Sequence, residues 1–288
     1  MADILSGLES MGLGNLSKVD LFNDKVKQPE KKKEQQPEKP KEVRPEEKDL
    51  IYERSVECAC CGHQFKEKTI RMGKAKLVSQ DIDLRPRYAE VDSLKYNITA
   101  CPVCGYAALT KDFSNLSPGQ ARMIKEKISV SFSGLKYEAE IYSYDEAIAR
   151  NKLALVNSVV KRGKISERAY ICLVLGWLTR GKYDSMAPDI PGRNKLIESL
   201  KNEENEFLKK AAEGFTEALH KESFPICGLE ESTFFYLLAA LDYETGNYKE
   251  SMRFVEKILT NKALPERIKD KARGIKEAIA EITASGKE

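Results

Sequence analysis

Histidine is nearly missing from this chain, which has two, His63 and His220. That scarcity removes most routes to general acid–base catalysis and to histidine-ligated metals. No Gly-rich phosphate loop, Rossmann glycine pattern, nucleophile elbow or His-Glu-x-x-His run is present. No apolar run approaches the roughly 20 residues a membrane helix needs. Met1-Ala2-Asp3-Ile4 brings neither a basic region nor a long apolar core, so no signal peptide is expected. A charge excess is missing too. The 48 basic and 45 acidic residues leave +3, which argues against a protein whose main work is neutralising phosphates. These absences predict a cytoplasmic protein with no membrane contact and no catalytic residues. His220, beside Lys221 and Glu222, reads as a helix C-terminal residue.

Cysteine is what the chain does have. Of seven, four stand as Cys58-x-x-Cys61-Gly62 and Cys101-x-x-Cys104-Gly105. Cys60, Cys172 and Cys227 are scattered. A Cys-x-x-Cys turn supplies two thiolates at the separation one ion needs, and two such turns complete a tetrahedral set. The trailing glycines let the backbone bend so that amides point at sulfur. Cys58, Cys61, Cys101 and Cys104 are therefore the expected ligands of a structural Zn²⁺, which such a closed set suits better than a catalytic site. The same donors suit iron, and the sequence leaves that open. It also leaves open a substitution by Cys60 or His63. By valence counting the four thiolates leave about −2 around Zn²⁺, which Lys66, Lys68, Arg71, Lys74 and Lys76 are placed to offset. The gap between the knuckles, residues 62–100, is longer than usual for a zinc ribbon, so a small insert is expected there.

The chain divides by composition. Residues 1–25 form a short peptide with Ile4, Leu8, Leu16 and Phe22 among its apolar positions, interrupted by Gly7, Gly12 and Gly14. Residues 26–49 are mostly Lys, Glu, Gln and Pro, which predicts a disordered linker. Residues 50–113 hold the knuckles, with strand-like pieces around Thr69-Ile70, Leu77-Val78 and Tyr96-Thr99. Asp81 and Asp83, with Arg85, Pro86, Arg87 and Tyr88, read as a charged surface loop. Residues 114–288 read as helical.

Ser117-Pro118-Gly119-Gln120 is a capping-box helix start, followed by Ile124, Ile128, Phe132 and Leu135. A second helix is expected over about 141–161, with Tyr144, Ile148, Leu155 and Val159 on one side. Ser166 is placed to cap a third, ending before Gly181. A fourth runs to about Lys221. A fifth carries Phe234, Leu238 and Leu241, a sixth Tyr248, Val255 and Ile258, and Pro265 opens a seventh. Tyr170-x-x-Leu173-x-x-x-Trp177-x-x-x-Gly181-x-Tyr183 parallels Phe235-x-x-Leu238-x-x-x-Asp242-x-x-x-Gly246-x-Tyr248. That spacing predicts tetratricopeptide-like hairpins, with glycine at each tight turn. The fold class is thus α+β, mostly α: a small zinc-ribbon-like β domain, then antiparallel helical hairpins.

These residues resemble a bacterial family of uncharacterised proteins, domain of unknown function 2225. The resemblance rests on Cys58-x-x-Cys61-Gly62-x-x-Phe65, on Asp81-x-Asp83 with Pro86 and Tyr88, and on Cys101-Pro102-x-Cys104-Gly105-Tyr106-Ala107-Ala108 before Asp112-Phe113. It runs from about Leu50 to Ile282. It implies a zinc-ribbon-type head joined to a tetratricopeptide-like body, and it implies no reaction. Ala59-Cys60 departs from the Pro-x pair common in such knuckles.

The expected function is a non-catalytic zinc-binding protein that serves as a protein–protein interaction scaffold or adaptor. Its partner protein would meet the helical repeats and the N-terminal peptide. A nucleic-acid-binding ribbon, using the basic run Lys66 to Lys76, and a metal-dependent redox protein are the competing readings.

Overall fold

The computed structural model describes residues 45–135 and 139–285. The expected N-terminal peptide and most of the expected linker lie outside them. Glu47–Leu50 forms one 3-10 turn. Glu47 accepts from Lys95 and from the Tyr96 hydroxyl, which anchors this end of the expected linker to the folded body.

Three two-stranded antiparallel hairpins follow: β1 (Ile51–Glu57) with β2 (Gln64–Ile70), β3 (Leu77–Gln80) with β4 (Pro86–Tyr88), and β5 (Ile98–Ala100) with β6 (Ala107–Leu109). β4 falls within the stretch expected to be loop, and Tyr96, expected to open a strand, instead ends a 3-10 turn at Ser93–Tyr96. β1 and β2 pair in register from Ile51↔Ile70 to Glu57↔Gln64, and β5 and β6 from Ile98↔Leu109 to Ala100↔Ala107. Each of these two hairpins therefore closes on a cysteine knuckle.

Among the described residues there are seven α-helices, so the protein is α+β with helix predominating. α1 (Pro118–Ile124) starts on the expected capping box, Ser117 and Gln120 each bonding the other's amide, and runs into a π turn at Lys125–Ser129. α2 (Tyr144–Val160) has the same device at Ser143 and Glu146. α3 (Ile165–Asp184), α4 (Arg193–Lys221), α5 (Glu231–Glu244), α6 (Tyr248–Thr260) and α7 (Glu266–Ala284) then pack consecutively, with α7 also against α5. Short links make neighbours antiparallel.

Phe132 and Leu135 lie beyond the first helix rather than in it, and three further helical details differ from expectation. Ser166 does not cap α3, whose N-cap is Lys164. Instead the Ser166 amide and hydroxyl both donate to Glu222, at 3.0 and 2.6 Å. A carboxylate from beyond α4 thus caps α3, as the helix dipole favours. Second, α3 does not end before Gly181 but runs to Asp184. Gly181 lies inside it because a Cβ there would meet the Tyr144 ring at 2.4 Å. Only Gly246 (φ 80°) makes the expected turn, between α5 and α6. Third, α2 turns a polar face inward: Arg150, Asn151, Asn157 and Ser158 are buried, while Val159 is exposed. Those side chains meet hairpin groups, Asn151 bonding Asn97 and Asn157 bonding the Gly105 carbonyl.

One hydrophobic cluster contains Ile98, Ala107 and Leu109 of the third hairpin together with Leu173, Trp177, Phe215 and Leu238 of the helices. A second wraps the knuckles with Tyr106, Phe113, Ile124 and Ile128. The hairpins are thus pressed onto the helices by shared apolar burial.

Candidate metal centre

The two knuckles are backbone replicas. In the first, the Cys58 amide donates to the His63 carbonyl at 2.9 Å and the Gly62 amide to the Cys58 carbonyl at 2.8 Å. In the second, the Cys101 amide donates to the Tyr106 carbonyl at 2.8 Å and Gly105 to Cys101 at 3.2 Å. Gly62 (φ 76°) and Gly105 (φ 71°) take the left-handed conformation the turn demands, which explains glycine at both places. The amides of Cys60 and Cys61 point at the Cys58 sulfur. Those of Val103 and Cys104 point at the Cys101 sulfur.

The turns face each other. The Sγ atoms of Cys58, Cys61, Cys101 and Cys104 all lie within 4.8 Å of one another. Cys58 and Cys104 are 3.6 Å apart, Cys61 and Cys101 3.7 Å. A tetrahedral Zn–S shell of about 2.3 Å radius has edges of about 3.8 Å, so the donor set fits such an ion. Without a cation the cluster resists holding several negative charges. The neighbouring Cys104 and Cys58 thiols hold the Cys101 thiol well below its ordinary range, and Cys101 in turn pushes Cys104 far up. One thiolate forms easily and the next does not, unless a positive ion is present.

Cys60 and His63 are not part of this group. The Cys60 thiol turns to the Ala121 carbonyl of α1, at 3.7 Å. Its burial pushes the thiol up, with Cys104 and then Lys125 opposing. His63 stacks on Phe65 at the surface, ring planes 3° apart. Of the lysines expected to offset the charge, Lys66 donates to Ser55 and Lys68 to the Ala139 carbonyl.

What supports the cluster lies far off in sequence. The Ser129 hydroxyl donates to the Cys104 carbonyl at 2.7 Å, and the Phe132 ring lies over Gly105, leaving no room for a side chain there. Glu67 of β2 accepts from the Ala100 amide at 3.1 Å, one residue before Cys101. The same carboxylate takes Arg150 of α2 and the Tyr142 hydroxyl. Glu67 thereby ties the strand after the first knuckle to the strand before the second.

Asp81 and Asp83 lie in a loop, the β3–β4 turn, as expected, but not at the open surface: Asp81 is half-buried. Asp83 is fully buried, accepts from Trp177 Nε1 at 2.8 Å and pairs with Arg180 at 3.0 Å. Arg180 also pairs with Asp81, Glu204 and Glu244. Burial pushes the Glu244 carboxyl up, with Asp83 adding to the shift and Arg180 opposing it. The sequence hint was the Asp-x-Asp-x-Arg-x-Arg alternation; its partner Arg180 is invisible locally.

Paired cysteine knuckles on short β-hairpins, seated on a run of antiparallel helices, define a cysteine-knuckle protein with a helical scaffold. The chain belongs to the family described as "Uncharacterized protein conserved in bacteria (DUF2225)", which it matches over residues 51–279. It is similar to an "Uncharacterized protein" of Borreliella burgdorferi, 25% identical over 83 residues that cover 26% of this chain and 30% of that protein. The match thus spans under a third of that relative's length. No solved structure matches. No helix among the described residues is long and apolar enough to cross a membrane.

Proposed function

We propose that the chain is a non-catalytic cytoplasmic zinc protein in which Cys58, Cys61, Cys101 and Cys104 hold one structural Zn²⁺ and the helices recognise a partner protein. The observation that carries the metal half is the convergence of four thiols within 4.8 Å. A closed four-sulfur shell leaves no open coordination position for substrate, which favours a structural ion. Bound there, the ion supplies the positive charge that lets all four sulfurs ionise.

The scaffold half is supported by an open polar cleft of about 520 Å³, lined by Arg180, Tyr183, Lys201, Asn205, Glu244 and Tyr248. It lies where α3 and α4 meet the α5–α6 turn. Antiparallel helix arrays of the tetratricopeptide kind present such surfaces to peptides. Quantitative cross-linking in the native cell, with the full chain and with Lys201→Glu/Asn205→Ala, tests it. A partner recovered by the wild type and depleted at least fivefold by the cleft variant supports the reading. Equal recovery of every cross-linked protein contradicts it.

A further inference from the structure

A separate cavity of about 440 Å³ lies between the β3–β4 turn, α3, the 227–229 segment, α5 and α7. Its chemistry differs from that of the polar cleft. Leu173, Trp177 and Leu237 in its wall are buried apolar residues. The one polar atom of the Trp177 side chain is already bonded to Asp83, so the indole offers the cavity only hydrocarbon. No carboxylate lines it, but two cations do: Arg267 and Lys271, one turn apart on α7. Among the described residues neither makes an ion pair. Lys271 has only the face of Tyr236, 5.3 Å from its ammonium. Its own burial and the nearby Arg267 lower the Lys271 pKa. Two cations without an ion-pair partner among the described residues, exposed Arg267 and half-buried Lys271, therefore border an apolar hollow. The wall also contains Leu84 (φ 67°) and Cys227 (φ 52°), two of the three described non-glycine residues in the left-handed region. Backbone held in that region concentrates at ligand sites. The volume is in the range of small-molecule pockets and too small for a folded partner.

We propose that this cavity binds a small organic monoanion with an apolar body, of the medium-chain carboxylate class. Its carboxylate pairs with Arg267 and Lys271 and its hydrocarbon lies against Trp177 and Leu237. The chain, free of acidic residues at this wall, rejects cations. A neutral molecule of the same shape leaves both positive charges uncompensated and binds more weakly.

The chain has a single tryptophan, and it lines this cavity, so its fluorescence reads occupancy. The full chain is titrated with sodium decanoate below micelle-forming concentrations and, in parallel, with decanol. A saturable change in Trp177 emission is expected with decanoate, and decanol is expected to bind at least tenfold more weakly. Arg267→Gln/Lys271→Gln, at one exposed and one half-buried helical position, is expected to weaken decanoate tenfold or more. Thr233→Phe, which fills the cavity from α5, is expected to abolish the response. No saturable response in the wild type, equal affinity for decanol, or an unchanged decanoate affinity in a folded charge variant overturns the proposal. The metal site takes no part in this readout.

Discussion

Glu67 and Arg150 meet at 2.5 Å with both side chains 3% exposed. They stand 83 residues apart, one on a knuckle hairpin and one on α2. Arg150 also donates to the Ile98 carbonyl at 3.0 Å and lies over the Tyr142 ring. The pair therefore joins both cysteine hairpins to the helical body.

Breaking a buried pair on one side strands the other charge. Glu67→Gln is expected to cost about 3–5 kcal/mol in urea unfolding. Glu67→Gln/Arg150→Met is expected to cost less than the sum of the two single changes, because the uncompensated charge leaves with its partner. Additive losses would show that the two residues act independently.

Asp242 gives a pH signature. Burial raises its carboxyl to about 6, with Asn247 opposing and Glu250 adding. A folded-state pKa above the unfolded one means that stability falls as pH rises from about 4 through about 6. Asp242→Asn removes that loss and retains an acceptor for Asn247. The variant is expected to be more stable than wild type by about 1 kcal/mol at pH 7, after allowing for solvent screening. The gap closes near pH 4. Thermal unfolding at pH 4 and pH 7 checks that the gap is present at the higher pH and absent at the lower.

Two glycines inside helices should respond with opposite sign. A Cβ at Gly181 would meet the Tyr144 ring at 2.4 Å and Arg85 Nη2 at 2.8 Å, whereas at Gly274 it would meet nothing within 4 Å. Gly181→Ala is expected to destabilise by about 1–3 kcal/mol through overpacking. Gly274→Ala is expected to stabilise by about 0.5–1 kcal/mol through helix propensity. Denaturant midpoints of the two variants decide.

Cys60 should be dispensable to the metal. Its sulfur bonds the Ala121 carbonyl of α1 and lies outside the set of four mutually close sulfurs. Cys60→Ser is expected to keep the wild-type metal content, while Cys58→Ser loses most of it. Equal loss in both would assign Cys60 a ligand role.

The knuckles were legible because their signal is local: cysteine spacing and the following glycine fix a turn, and both turns follow it. The capping boxes at Ser117 and the α5–α6 turn at Gly246 were legible for the same reason. What failed was non-local. By sequence Asp83 reads as surface, but Arg180 and Trp177, 97 and 94 residues on, enclose it. Ser166 looked like a cap, but Glu222 supplies the acceptor. Val159 fitted the expected apolar side of α2, yet that helix buries polar groups because it packs against hairpin backbone. Gly181 fitted a turn by spacing, but close approach of Tyr144 is what requires it.

Metal content is the most direct measure of the central claim. The full chain, purified without added metal or chelator, is assayed for zinc and iron alongside Cys58→Ser and Cys101→Ser. The expected result is one zinc per chain in the wild type, negligible iron, and less than a tenth of that zinc in either variant. Wild-type protein with no bound metal, or with iron as its stoichiometric ion, would contradict a structural zinc held by these four sulfurs.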